Sequence, residues 1–351
     1  MTGEGAGLVR AYPAPHNGKD LTAVKKGCLC LLMLCMLVLS PFALGETARY
    51  AARANREFHL RLQPADEARR VRNVQPRTTL EVLEYGEEWC RVRLQGDTGY
   101  ARTRWLSQLR SLDPLRYSVP GYDRQAGLAV VTTPATLTVA GYGGNRLQMG
   151  DVLTVRNWDD KQAAVSMLRD HTTLASQSLR FMPFTPWQEA EPGQVIGGFT
   201  TYYNHQTGRR LAANRQHNIE LAAQRIDGLQ VAPGQGFSFN GACGPYLKSR
   251  GYALAPNISQ DGQGYGGGVC QVSTTLYLAA LGLPFQVEEW ALHRERGVDY
   301  APQGFDAAVG TYSDLVITNL MPYAVCLVAR PQQGVLTVLI HRAGAPAALP
   351  G

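Results

Sequence analysis

Apolar alternation in this chain is interrupted every few residues by a turn carrying glycine, aspartate or proline. That interval sets what the chain can fold into. With 37 glycines and 20 prolines in 351 residues, most intervals are of strand length and too short for a long helix. Between Phe58 and Leu109, His59-Leu60-Arg61-Leu62 alternates, then come Leu80 to Tyr85 and Glu87 to Leu94. Gln95-Gly96-Asp97-Thr98-Gly99 turns the chain into Tyr100-Ala101 and Trp105-Leu106. Residues 46–112 therefore read as a small all-β barrel whose alternate side chains face inward. Residues 125–186 read as a second small β domain, with strands at Leu128–Val131, Leu137–Val139, Val152–Val155 and Ala164–Leu168. It is either a diverged copy of the first or an unrelated unit. Pro183, Pro186 and Pro192 mark a linker after it.

Two stretches have helical spacing instead. Asn214 can cap a helix running to Asp227, with Ile219, Ala222, Ala223 and Ile226 on one face and Gly228 as its stop. A second helix starts at Cys270, carries Val272, Leu276, Ala279 and Ala280 at helical spacing, and stops at Gly282. Strands are expected at Gly197–Tyr203, Phe237–Asn240, Gln286–Trp290, Ala307–Val309, Leu315–Asn319, Ala324–Val328 and Val335–Ile340. Helices on a mixed or antiparallel sheet make residues 195–342 an α+β domain.

The second helix carries the chemistry. Gly266-Gly267-Gly268-Val269-Cys270-Gln271-Val272-Ser273-Thr274-Thr275-Leu276-Tyr277 delivers a cysteine to a helix start. There, unpaired N–H groups and the positive end of the helix dipole favour thiolate over thiol. His293 and Asp306 follow in an order that completes a Cys-His-Asp constellation, with cysteine as nucleophile, histidine as base and aspartate as orienter. Gly267 and Gly268 permit close backbone approach, and the Cys270 and Gln271 amides are candidate oxyanion donors. The plainer readings are a structural cysteine, an ordinary histidine, a turn aspartate and a flexible glycine loop. Polar Gln271, Ser273, Thr274 and Thr275 beside the cysteine argue against a merely buried one. The Lys-Ser/Thr of a phosphate-binding loop is missing after the glycines.

Where this chemistry works is read from the N-terminus. Lys25 and Lys26 precede an almost wholly apolar stretch from Gly27 to Gly45, closed by Ala43-Leu44-Gly45. Residues 1–45 are therefore a signal peptide or membrane anchor, and the chain is expected outside the cytoplasm in the cell envelope. A membrane partner follows only if that segment is retained. Three of 7 cysteines lie in it, leaving Cys90, Cys243, Cys270 and Cys326. Four such cysteines allow two disulfides, but no CxxC pair suggests a metal cage. Cys90 and Cys326 read as buried small hydrophobes. The net charge of +6 is spread out, with no dense basic tract, which excludes a nucleic-acid partner.

These residues carry two family resemblances. Residues 58–109 resemble a bacterial SH3 domain through Leu60-Arg61-Leu62, Leu80 to Val92, Gly96 to Ala101 and Trp105-Leu106. Residues 197–340 resemble a VanW domain. That likeness rests on Arg215-x-x-Asn218-Ile219, Pro233-Gly234-x-x-Phe237-Ser238-Phe239-Asn240, Gly251-Tyr252, the glycine–cysteine run, His293 and Gly304-Phe305-Asp306-Ala307. The family often has serine after its histidine, where Arg294 stands here. The resemblance implies an exported cell-wall protein akin to members of glycopeptide-resistance clusters. It further implies an L,D-transpeptidase acting on peptidoglycan stem peptides through Cys270, with His293 and Asp306 as partners. Gly267, Gly268, Gln271, Ser273, Thr274, Arg215, Asn218 and Tyr252 would line the substrate side, although Arg215, Asn218 and Tyr252 read equally as helix-surface or packing residues, and no metal or cofactor is implied. A cysteine endopeptidase of peptidoglycan and a non-enzymatic wall-binding accessory protein are the alternatives. The SH3 resemblance leaves wall-peptide binding and a structural spacer equally open.

Overall fold

The computed structural model describes residues 46–113, 125–139, 143–165, 172–205, 210–257, 262–293, 298–301 and 304–344. The segment read as a signal or anchor, Arg294, and the bulk of the run between the two small β units lie outside the described residues. The chain is mostly β with few helices.

The first sheet contains β1 (Tyr50–Ala54), β2 (Phe58–Arg61), β3 (Arg70–Val74), β4 (Thr79–Glu84), β5 (Trp89–Leu94), β6 (Asp97–Arg102) and β7 (Leu106–Ser111). Their order is β3-β2-β6-β5-β4-β1-β7, all antiparallel. β3 and β7 are the two edges, so this sheet does not close, and the barrel expected from strand spacing is not formed. Spacing fixes which side chains face inward but not whether the last strand meets the first. The inward positions Leu60, Val74, Leu80, Val82, Cys90, Val92, Ala101 and Leu106 form its core.

The second small β unit has a five-stranded sheet of β8 (Gly127–Val131), β11 (Val152–Trp158), β12 (Gln162–Val165), β13 (Thr172–Ala175) and β14 (Leu179–Pro183), and a separate two-stranded hairpin of β9 (Ala135–Val139) and β10 (Gly143–Leu147). The order β14-β8-β11-β12-β13 repeats β7-β1-β4-β5-β6 strand for strand. In each, the first strand is followed by a hairpin, and a 3-10 turn (Thr103–Trp105, Ser176–Ser178) precedes the last strand. The topology is shared although the sequence likeness is faint.

The C-terminal region holds the remaining elements. They are β15 (Val195–Tyr202), α1 (Arg210–Ile226), β16 (Gln230–Val231), β17 (Gly236–Ser238), α2 (Phe239–Cys243), β18 (Leu254–Pro256), β19 (Gln263–Tyr265), α3 (Val269–Ala280), β20 (Phe285–Glu289), β21 (Val316–Asn319), β22 (Val325–Gln332) and β23 (Val335–Arg342). The main sheet runs β15-β23-β22-β16, with β17-β21-β20 and β18-β19 as smaller sheets. α3 packs on β15 and β23, and α1 packs on β22 and β18. Ile219, Ala222, Ala223 and Ile226 are fully buried, as the spacing of α1 requires.

Three expectations differ. α1 begins at Arg210, so Asn214 lies inside it, and its Nδ2 donates to the Leu254 carbonyl at 2.7 Å instead of capping. The strand expected over Phe237–Asn240 ends at Ser238, whose hydroxyl accepts from the Gly241 amide at 2.8 Å and caps α2. Ala307–Val309 forms no ladder, because its polar groups are taken by α3 as described below.

Residues Ala48–Gly351 form one unit. Its second sheet is joined to the main sheet through a buried hydroxyl chain. Thr200 Oγ1 accepts from the Thr154 amide at 2.8 Å and lies 2.8 Å from Thr337 Oγ1, which donates to the Val152 carbonyl at 2.7 Å. All three threonines are buried, so each hydroxyl must find its partner within the protein.

Candidate active site

The turn Gly266–Gly268 brings Cys270 to the second residue of α3. Each glycine is required for space. A Cβ on Gly267 would stand 2.4 Å from the Pro256 carbonyl oxygen and 2.7 Å from that of Ala255. Gly268 has φ +106, and a Cβ there would meet Arg215 Cγ at 2.8 Å. The loop is thus clamped between β18 and α1. Asn218, fully buried, completes the clamp by donating to the Ala253 and Gly267 carbonyls at 2.9 and 3.0 Å.

His293 enters from the segment after β20, and Asp306 from the irregular chain before β21. His293 Nδ1 lies 2.6 Å from Asp306 Oδ2, and the His293 backbone amide donates to the same oxygen at 2.7 Å. Asp306 is fully buried, and the His293 side chain is only 8% exposed. With Nδ1 committed to the carboxylate, Nε2 is left for the thiol. Cys270 is near enough to the imidazole to add to the rise in its pKa. The half-buried thiol donates to the Val309 carbonyl at 3.4 Å.

Burial by itself would lower the His293 pKa. The hydrogen bonds to Asp306 and Cys270 and their charges outweigh it, and the group is pushed up to about 9. The raised pKa keeps the imidazole protonated near neutrality beside Cys270. Gly268, the N-cap of α3, offers no capping side chain. The amides of Gly266, Gly267, Val269 and Gln271 donate to Ala253, Gly264, Gly266 and Gly268 carbonyls. Among the described residues those of Gly268 and Cys270 have no acceptor, which leaves them for an oxyanion.

The structure gives the other expected site residues a different task. Gln271 and Gly267 are not free donors, since their amides are engaged. The Gln271 side chain is buried between Arg215, Thr201 and the Tyr202 carbonyl, at 2.9, 3.1 and 2.9 Å. Ser273 donates to the Ala307 carbonyl at 2.7 Å, and Thr274 Oγ1 accepts from the Ala307 amide at 2.9 Å. Both are fully buried and pin the chain beside Asp306 onto α3. Tyr252 is buried, donates to the Cys243 carbonyl at 2.8 Å and lies under the Arg225 guanidinium. None of Gln271, Ser273, Thr274, Asn218 and Tyr252 turns a free polar atom outward. They hold the loops around Cys270 and Asp306, because buried polar atoms need partners within the protein.

Tyr246 was not foreseen. Its Cβ lies 2.9 Å from where a Gly266 side chain would begin, and its hydroxyl donates to Asn240 Oδ1 at 2.6 Å. Burial raises its pKa, and the neighbouring Cys270 adds to that. Its place comes from loop packing, for which the local sequence has no signal. Cys90, Cys243, Cys270 and Cys326 are all free, so the two possible disulfides are not formed. Cys90 and Cys243 are fully buried, whereas Cys326 is only half-buried on the outer face of β22.

Fold and site together define a β-rich protein with a Cys-His-Asp centre at a glycine-loop helix start. Residues 214–341 match the model of the family described as VanW like protein, and residues 54–108 match that of the bacterial SH3 domain. The chain therefore carries a VanW-like domain behind a bacterial SH3 domain. An uncharacterized Bacillus subtilis (strain 168) protein, YoaR, is 39% identical over 118 residues, which cover 33% of this chain and 37% of the relative. The match thus spans little more than a third of that relative's length. No helix of the described residues is long and apolar enough to cross a membrane.

Proposed function

We propose that this is an exported cell-wall acyltransferase of L,D-transpeptidase type that works on peptidoglycan stem peptides through Cys270. The observation that carries the reading is His293 bonded to buried Asp306 at 2.6 Å, with Cys270 at the start of α3 near enough to raise the imidazole's pKa. The Cys270 thiolate attacks the carbonyl at an L-to-D junction, and the Cys270 and Gly268 amides face the oxyanion. Protonated His293 gives its proton to the departing D-amino acid amine as the C–N bond breaks, leaving a thioester. The side-chain amine of a second stem then gives a proton to the neutral imidazole and displaces the thiolate. The new amide is the cross-link, and the enzyme returns to its starting state. Asp306 holds the imidazole in one tautomer throughout.

The test is intact-protein mass spectrometry after incubation with a carbapenem, followed by product analysis with a stem tetrapeptide with and without an acceptor amine. A covalent adduct on the native chain, absent in Cys270→Ala, and a product of joined peptides are expected. A missing adduct would leave only the wall-binding role. Release of the D-amino acid with no joined product would assign hydrolysis instead.

A further inference from the structure

A cleft of about 600 Å³ has His293 and Asp306 in one wall and Arg53, Asn55 and Arg77 of the SH3 domain in the other, while Cys270 is not in its lining. The two walls are fitted to each other. Gly304, two residues before Asp306, has φ +86, and a Cβ there would lie 2.8 Å from both Asn55 Nδ2 and Ser107 Cβ. The Arg53 guanidinium stands 5.9 Å from the Trp290 ring, three residues before His293. On another side Leu109 to Ser111 share a recess with Tyr277 and Phe285. A spacer would have no need of this fit beside the catalytic loop.

The charge in the cleft is unbalanced. Arg53 Nε donates only to the Arg77 carbonyl, at 3.2 Å. Among the described residues neither arginine has an acidic partner. Asp306 is the one acidic residue in the lining, and its Oδ2 is already taken by His293. Trp290 also lines the cleft, is 8% exposed, and among the described residues its Nε1 has no acceptor. Arg77 is held at φ 69, a backbone region that a bulky side chain enters only under constraint. Its amide donates to the Ala54 carbonyl at 2.7 Å, so the constraint comes from β1 itself.

We propose that this cleft is a carboxylate subsite of the active site, in which the SH3 domain supplies Arg53 and Arg77 and the VanW-like domain supplies Trp290 Nε1. Its occupant is a free carboxylate of the peptide that reacts at Cys270. The identity of the peptide rests on the acyl-transfer reading, whereas the charge preference does not. Guanidinium groups bind carboxylates through paired N–H donors, and an orphaned indole N–H adds a third donor without adding charge.

The experiment is titration calorimetry on the full chain carrying Cys270→Ala, with a synthetic stem tetrapeptide in two forms, all carboxylates free or all amidated. The free form is expected to bind about tenfold or more tightly, the factor that one charge-assisted hydrogen bond supplies. Arg53→Gln with Arg77→Gln should abolish the preference. Equal binding of the two forms, binding of neither, or a preference unchanged in the double variant would overturn the proposal. Should the double variant not melt as a folded protein, Arg77→Gln alone and the salt dependence of the preference decide in the same way. Alkylation of the native chain by iodoacetamide separates the two ideas. A carboxylate preference with an inert thiol keeps the subsite and removes acyl transfer. A reactive thiol with no preference does the reverse.

Discussion

Replacing Asp306 by Asn probes the link on which the chemistry turns. The side chain keeps its shape and one oxygen, so Nδ1 and the His293 amide keep an acceptor, but the negative charge is gone. In the native protein the imidazole is displaced from its ordinary 6.5 to about 9 against the pull of burial. That displacement, roughly 2.5 pH units at about 1.4 kcal/mol each, is on the order of 3 kcal/mol, shared between Asp306 and Cys270. Losing one of two charged partners removes about half of it or more, and burial then acts with less opposition. The His293 pKa in Asp306→Asn should fall by roughly 1 to 2 units, measured by NMR of labelled histidine. Iodoacetamide labelling of Cys270 should slow by at most about twofold near neutrality and by about twofold to tenfold at about pH 8, because the imidazolium beside the thiol is depleted only as pH passes the lowered pKa. The sign of the stability effect follows from the raised folded pKa. In the native protein this interaction is fully present below about 6.5 and is lost as pH rises through about 9. Urea denaturation should show the native chain losing stability across that window and the variant losing much less. A His293 pKa unmoved by the substitution, or a native histidine titrating near 6.5, would refute the reasoning.

Other substitutions test the scaffold. Gly267→Ala must push its new methyl into the Pro256 and Ala255 carbonyls, so thermal melting should drop sharply and Cys270 labelling should lose its rate advantage. Thr200→Val leaves the buried Thr154 amide without its acceptor and should cost about 1–3 kcal/mol in urea unfolding, with thiol reactivity unchanged.

Much of the site was legible as a string of residues. Three adjacent glycines before Cys270, then apolar spacing to Gly282, specify a tight turn and a helix start with little help from elsewhere. The order of Cys270, His293 and Asp306 suggested their roles, but their meeting depends on the strand pairing of β20 with β21 and on Ser273 and Thr274 gripping Ala307. Those contacts join residues 27 or more positions apart in the chain. The sequence likewise marked Gln271, Ser273, Thr274 and Asn218 as important without revealing that they face inward. A polar side chain reads the same whether its partner is a substrate or a buried carbonyl.

Local physics thus determined the turns, the inward faces of the strands, the two long helices and the position of Cys270 at a helix start, because each depends on neighbours within a few residues. Only the tertiary structure decided that the first sheet stays open, that the second repeats its strand order, that the amides of Gly268 and Cys270 are the ones left without acceptors, and that Arg53 and Arg77 look onto the histidine. Those outcomes are set by which surfaces meet when remote segments pack, and residue spacing carries no record of that.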